Sequence, residues 1–244
     1  MSTPRPPGEL APALPLALVF LAAFVLPLVA LVGNPKYYKT CVAFFICDTP
    51  FASEIGGETL AKGGDMAAAK KALAESGYDG TPVVIMAPGD VTTLKAQPVV
   101  VAQQLRDAGF KVDLQATDWQ TVVTRRASQK APKDGGWNMF FTNWVGADVA
   151  NPVVNVSVGG RGTKGGWFGW ADDPKIEQLK DAFVRAPSLD EQKKIASDIQ
   201  KEAYEQVIYL PLGQFRLPSA WRKSLTGVLE GPAPPVFWNV DKTE

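Results

Sequence analysis

The chain has 244 residues, with 25 Lys+Arg against 25 Asp+Glu, so its formal net charge is zero and its length suffices for one large domain or two modest ones. A chain without excess positive charge offers no electrostatic footprint for nucleic acid, whose phosphates demand clustered Lys and Arg. It contains no His, which removes the commonest general base and metal ligand, and its two Cys are too few for a four-Cys zinc site.

Residues 10–32 (LAPALPLALVFLAAFVLPLVALV) carry no charged side chain and exceed the roughly 20 residues that a helix needs to span a bilayer. Pro12 and Pro15 stand near the start, where a helix tolerates them, whereas Pro27 lies deeper and predicts a kink. A secretory signal is the rival reading, but the run is long and no clear small-x-small cleavage pattern follows it. An uncleaved membrane helix within residues 1–33 is therefore expected, followed by a water-soluble unit over residues 34–244. Arg5 on one side, with Lys36 and Lys39 on the other, leaves the orientation open. Next, Cys41 and Cys47 are spaced to close a small disulfide in an oxidising compartment, or are two small buried side chains in CVAFFIC.

The soluble part follows an alternating α/β pattern. Asp65 is placed to cap a helix over 66–76 that Gly77 stops. TPVVIMAP (81–88) is a short β-branched strand bounded by Pro. A second helix is predicted over 92–108, ended by Gly109 and bent or interrupted by Pro98. FKVDLQATD (110–118) alternates Phe110, Val112 and Leu114 with polar neighbours, which is strand periodicity. Residues 119–128 suit a helix and NMFFTNW (138–144) a strand. Two capped helices follow. In one, Asp172 and Asp173 precede Pro174; in the other, Ser188 and Glu191 stand at capping-box spacing. Ile195, Ile199, Ala203 and Val207 in the second form one core-facing stripe. IYLPLGQF (208–215) and PPVFWNV (234–240) are expected to be closing strands. Strands alternating with helices predict a mixed or parallel sheet covered by helices.

Two stretches carry candidate chemistry. GGRGTKGGWFGW (159–170) is glycine-rich, yet Lys164 precedes Gly165, so P-loop spacing fails. Its Trp167 and Trp170 could line a ligand cleft or pack on the sheet edge. NMFFTNWVGADVANP (138–152) ends a predicted strand with Trp144 and Asp148, flanked by Asn143 and Asn151. Strand ends in open α/β sheets are where ligands sit; an indole there is a flat wall, and a carboxylate there accepts hydrogen bonds from an ammonium group. The competing reading is that Asp148 caps a turn which Asn151 and Pro152 continue. No recognised nucleophile or metalloprotease motif occurs, so catalysis is not expected.

Four separated blocks, AAAKKALAESGYDGTPVVIMAPGD, VAQQLRDAGFKVDLQATDWQTVVTRR, GGWNMFFTNWVGADVANP and EQKKIASDIQKEAYEQVIYLPLGQF, resemble in order the carboxy-terminal part of family 5 extracellular solute-binding proteins. These are the ABC-importer receptors for peptides, nickel complexes and related solutes. The resemblance runs over about 34–244 and implies a periplasmic-binding-protein-like α/β lobe, the second of two that close on a ligand. It implies capture of a peptide or similar small solute, importer permease subunits as partners, no cofactor, no catalysis and an extracytoplasmic soluble part. In peptide-binding members an Asp just after such a Trp contacts the ligand's amino group, which by resemblance would be Asp148, with Trp144 as pocket wall. Val145, Gly146 and Ala147 separate the two, one residue more than peptide binders are expected to have.

Residues 10–32 are similar to the first membrane helix of an importer permease subunit, so the chain resembles a truncated receptor joined behind a membrane segment. One lobe supplies one wall of a cleft, so weak binding or none is expected from this chain alone. PPVFWNV, which would return towards the first lobe, is expected to leave apolar surface exposed. The alternative is a membrane-tethered interaction module that binds no solute.

Overall fold

The computed structural model describes residues 34–229 and 237–243. The expected membrane helix at 10–32 lies outside the described residues, and among those described no helix is long and apolar enough to cross a membrane.

The chain first forms a short strand, β1 (Tyr38–Lys39), then a single-turn helix, α1 (Glu58–Ala61), and α2 (Met66–Glu75). Asp65 caps α2 by accepting the Ala68 N–H at 2.9 Å, as its position before the apolar run predicts. A parallel unit follows: β2 (Val83–Pro88), α3 (Gln97–Ala108) and β3 (Val112–Thr117). The two strands pair from Val83↔Val112 to Pro88↔Thr117, with α3 as the crossover that parallel strands require. Helix α3 starts later than 92, and Pro98 does not bend it. Residues 92–96 form a turn, and Pro98 occupies the first helical turn, where its missing N–H would have had no partner. Gly109 ends the helix at φ 111°, a conformation that side chains disfavour. Helix α4 (Trp119–Arg125) then starts on an Asp118 cap.

The strand expected over 138–144 is reduced to one parallel bridge, Ile85↔Met139, beside β2. There, Met86 donates to the Met139 carbonyl at 3.0 Å, and the Asn138 side chain accepts the Val84 N–H at 2.8 Å. Beyond Met139 the chain leaves the sheet, because Asn143 turns to donate to Thr93 at 2.7 Å. Residues 66–141 pack Ala69, Leu73, Ile85, Leu94, Ala102, Leu105 and Phe141 into one apolar core.

A second core, sharing no residue with the first, is built on the antiparallel helices α5 (Pro174–Arg185) and α6 (Leu189–Glu205). Asp173 caps α5 and Ser188 caps α6. The α6 stripe buries Ile195, Ile199 and Ala203; Val207 lies past the helix end at φ 49°. Against the stripe lies the segment 41–47, closed by a disulfide between Cys41 and Cys47. Val42, Phe44 and Phe45 are almost fully buried, yet they belong to no strand. Buried backbone polar groups need partners, and here side chains supply them. Gln200 accepts the Phe44 N–H, Asn155 donates to the Phe44 carbonyl at 2.8 Å, and Tyr204 donates to the Val42 carbonyl. Burial raises the Tyr204 and Tyr209 hydroxyls above the usual phenol range, so both stay neutral donors.

Of the predicted closing strand 208–215, only β4 (Gln214–Phe215) forms, antiparallel to β1. Ile208, Tyr209 and Leu210 instead spend their apolar faces on the second core. A last pair joins β5 (Leu225–Thr226) to β6 (Asp241–Lys242). Residues 234–236 lie outside the described residues, and the rest of the predicted strand is a turn in which Phe237 and Trp238 are 75% and 87% exposed.

Candidate functional site

The segment 143–170 runs between the two cores and carries the candidate residues. Its geometry begins at Gly146, where an added Cβ would stand 3.2 Å from the Ile46 Cδ1 atom. The disulfide-closed segment thus packs closely on the start of the turn Gly146–Val149. Asp148 sits in that turn, exposed, and its carboxylate accepts no hydrogen bond from a described residue. The turn-capping alternative therefore does not describe Asp148. It does describe Asn151, whose side-chain oxygen accepts the N–H groups of Val153 at 2.9 Å and Val154 at 3.3 Å. Asn143 is likewise occupied, donating to Thr93 and accepting from Gln97.

Trp144 stacks on Trp167, with ring centroids 4.9 Å apart and planes tilted by 53°. The glycine-rich loop delivers Trp167 because its backbone is folded tightly against α5. The backbones of Arg161 and Asp172 form a single antiparallel bridge, and the Gly160 N–H donates to Glu177 at 2.8 Å. A Cβ on Gly160 would lie 1.9 Å from the Asp173 carbonyl oxygen, so only glycine fits there. Close backbone approach, with no phosphate involved, explains this glycine. Burial opposes ionisation of Glu177, but the Gly160 N–H and the Arg161 guanidinium outweigh it and hold the carboxyl below its usual range.

Trp170 does not join Trp144. It lies against Trp137 at 6.0 Å, and Trp137 meets Phe140 at 5.0 Å. Phe168 links the two groups, 4.8 Å from Trp167 and 6.5 Å from Phe140. The rings form one continuous cluster flanking a shallow depression lined by Ser157, Trp167, Phe168, Trp170 and Ile208. The depression encloses almost no space, so this face is a wall, and a ligand held here needs a second one.

Sequence reasoning missed Arg126. Its guanidinium carbon lies 4.6 Å from the Phe168 ring centre, 5.4 Å from that of Trp167 and 5.8 Å from that of Trp119. Burial lowers its pKa from the usual arginine value, and no carboxylate among the described residues pairs with it. The doublet Arg125–Arg126 was visible in the sequence but gave no means of choosing between the two. Arg125 is consumed by structure: it donates to Gln115 at 2.6 Å and to the carbonyls of Gly135 and Gly136. Among the described residues, no group of three or more Cys, Asp or Glu is placed to hold a metal.

The family described as "Bacterial extracellular solute-binding proteins, family 5 Middle" matches residues 33–165. A probable peptide ABC transporter periplasmic-binding protein, y4tO, of Sinorhizobium fredii (strain NBRC 101917 / NGR234) is 33% identical over 210 residues, covering 86% of this chain and 39% of that protein. The chain thus spans about two fifths of the curated relative it matches. The dipeptide binding protein of Pseudoalteromonas sp. SM9913, solved in complex with Met-Leu, superposes with a TM-score of 0.73 at 16% identity, over 95% of this chain and 45% of that one. The ABC transporter substrate binding protein CtaP of Listeria monocytogenes gives a TM-score of 0.70 at 16% identity, over 84% and 40% of the two chains. These structures establish a periplasmic-binding-protein-like α/β fold.

Proposed function

The chain belongs to the family 5 bacterial extracellular solute-binding proteins, and we propose that it forms one wall of a cleft capturing a peptide or similar small solute for an ABC importer. The observation that carries this reading is the stacking of Trp144 on Trp167, from the two ends of the segment 143–170, with an exposed Asp148 in the turn after Trp144 that takes no hydrogen bond from a described residue. An aromatic face buries the apolar part of a solute, and a free carboxylate pairs with its ammonium group. Residues 34–244 are the receptor lobe, and the apolar run at 10–32 tethers it to the membrane beside the permease subunits that take up the solute. The lobe binds and releases its solute unchanged. Asn143 and Asn151 hold the loop, and Trp170 extends the aromatic wall.

The test is titration of the full chain with dipeptides to tetrapeptides, following tryptophan fluorescence. Asp148→Ala is expected to weaken binding of peptides with a free amino group by about tenfold or more, the worth of a charge-assisted hydrogen bond. The same peptides N-acetylated should bind both forms equally. No fluorescence response to any peptide, or an unchanged affinity in Asp148→Ala, refutes the reading.

A further inference from the structure

We propose that the face around β1 and β4 rests on a membrane surface bearing anionic headgroups, held there by the basic and apolar side chains of residues 36–39 and 216–223. This goes beyond solute capture and rests on one part of the reading above, that the apolar run at 10–32 lies in the bilayer.

Very little chain separates that run from the folded lobe. Asn34 already caps a short turn, its side chain accepting the Lys36 N–H at 3.0 Å and its carbonyl accepting the Tyr37 N–H at 3.0 Å. The Tyr37 carbonyl in turn accepts the Arg216 N–H at 2.7 Å, and β1 pairs with β4 as Tyr38↔Phe215 and Lys39↔Gln214. Val32 ends the apolar run, and the two steps from there to Asn34 reach at most about 7 Å. The headgroup layer beyond the hydrocarbon is itself about 5–8 Å thick on each side. With Val32 at the edge of the hydrocarbon, the lobe therefore meets the headgroups at Lys36 and at the neighbouring strand end, Arg216.

The chemistry of this face suits such a surface. The whole chain is neutral, yet residues 34–47 hold Lys36 and Lys39 with no Asp or Glu, and residues 206–229 hold Arg216, Arg222 and Lys223 with none either. Lys39 pairs with Asp48, but among the described residues no carboxylate pairs with the other four. Lys36, Tyr38, Lys39 and Arg216 border one open depression, which leaves their charges accessible to a phosphate group. Residues 216–223 are exposed throughout, with Leu217 at 65% and Trp221 at 49%. Apolar side chains set among cations are favoured at a headgroup layer: the indole and the leucine enter the acyl boundary while the cations stay with the phosphates. Each unpaired cation brought to an anionic surface favours contact by about fivefold, so four together supply on the order of several hundredfold. A protein partner fits less well, because interface cores are depleted of charge and this face concentrates it.

The test reconstitutes the full chain in vesicles of phosphatidylcholine alone or of an equimolar mixture with phosphatidylglycerol. The signal is quenching of Trp221 by brominated acyl chains, taken as the difference between chains with and without Trp221→Phe. In the mixed vesicles quenching should be strong, and it should fall severalfold in molar salt, where the screening length is about 3 Å. It should be equally weak on phosphatidylcholine alone. Arg216→Glu, Arg222→Glu and Lys223→Glu together should abolish it without moving the urea midpoint, whereas Arg216→Lys with Arg222→Lys should preserve it. Equal quenching on the two kinds of vesicle, or its persistence in the triple Glu variant, overturns the proposal even while the chain stays anchored. Shielding of Trp221 from acrylamide that instead rises with the protein-to-lipid ratio assigns the face to a second copy and overturns it too. Flotation with vesicles in molar salt reports the anchor separately. Its failure, with lipid-dependent quenching kept at low salt, removes the tether and sustains the surface; no flotation under any condition overturns both.

Discussion

Gln200→Ala removes the most central of the side chains that stand in for a sheet around residues 41–47. In the native chain Gln200 is fully buried; its Oε1 accepts the Phe44 N–H at 3.2 Å, and its Nε2 donates to the carbonyls of Ser53 and Ile55. Alanine orphans all three groups. The Phe44 N–H lies among nearly inaccessible side chains and cannot find water, whereas Ile55 is 44% exposed and its carbonyl can. An orphaned buried donor costs about 1–3 kcal/mol and the space left by the shortened side chain adds to it, so a loss of about 3 kcal/mol is expected. That is a large share of the roughly 5–15 kcal/mol that holds a typical domain together. Urea denaturation followed by far-ultraviolet circular dichroism measures it as a lower midpoint at constant slope. Asp198→Ala, in the same helix but outside the core, is the control and should stay within about 0.5 kcal/mol. A loss below about 1 kcal/mol for Gln200→Ala would refute the idea that side chains replace the missing ladder.

A double-mutant cycle on Trp144 and Trp167, whose rings are 4.9 Å apart, should give a coupling of about 0.5–1.5 kcal/mol in denaturant titrations; additive effects would mean the rings are not partners. Gly160→Ala drives a Cβ to 1.9 Å from the Asp173 oxygen, and should cost about 3 kcal/mol or more while red-shifting tryptophan emission as the loop lifts. The Glu177 carboxyl is held below its ordinary value of 4.5, so its contribution is complete above about pH 4.5 and is lost as pH falls through the folded value. Glu177→Gln should accordingly be less stable than wild type at neutral pH, with the gap closing in acid. Reducing the bond between Cys41 and Cys47, which closes a loop with a separation of 6 residues, should lower stability by about 2 kcal/mol, measured by the urea midpoint with and without reductant.

The starts of α2, α5 and α6 were legible because their signals are local. Asp65, Asp173 and Ser188 each satisfy N–H groups two or three residues onward, and nothing distant can cancel that. The strands at 81–88 and 110–118 were legible from β-branched and alternating side chains. Failures came where pairing is settled at long range. The apolar run 138–144 carries the right composition, but Asn143 finds Thr93, fifty positions earlier in the chain, and the ladder stops. Pro98 was misjudged because the periodic pattern extends upstream of it, while the helix begins beside it. At the candidate site, the stacking of Trp144 on Trp167 was illegible, because no local pattern links the two positions. The identity of the free arginine was illegible for the same reason: only the folded neighbours of Arg125 and Arg126 tell them apart.

The two hydrophobic cores share no side chain, and residues 208–212 pass from one to the other, with Ile208, Tyr209 and Leu210 in the helical core and Leu212 in the strand core. The loop bearing the aromatic wall is moored at both: Asn143 ties it to Thr93 beside the strands, and Asn155 ties it to Phe44 beside the helices. Each half can therefore drift under mutation independently, provided its own mooring is kept. The spacing of Trp144 and Trp167 becomes a gauge of how the halves sit, and a ligand bridging that spacing is coupled to the seam between them.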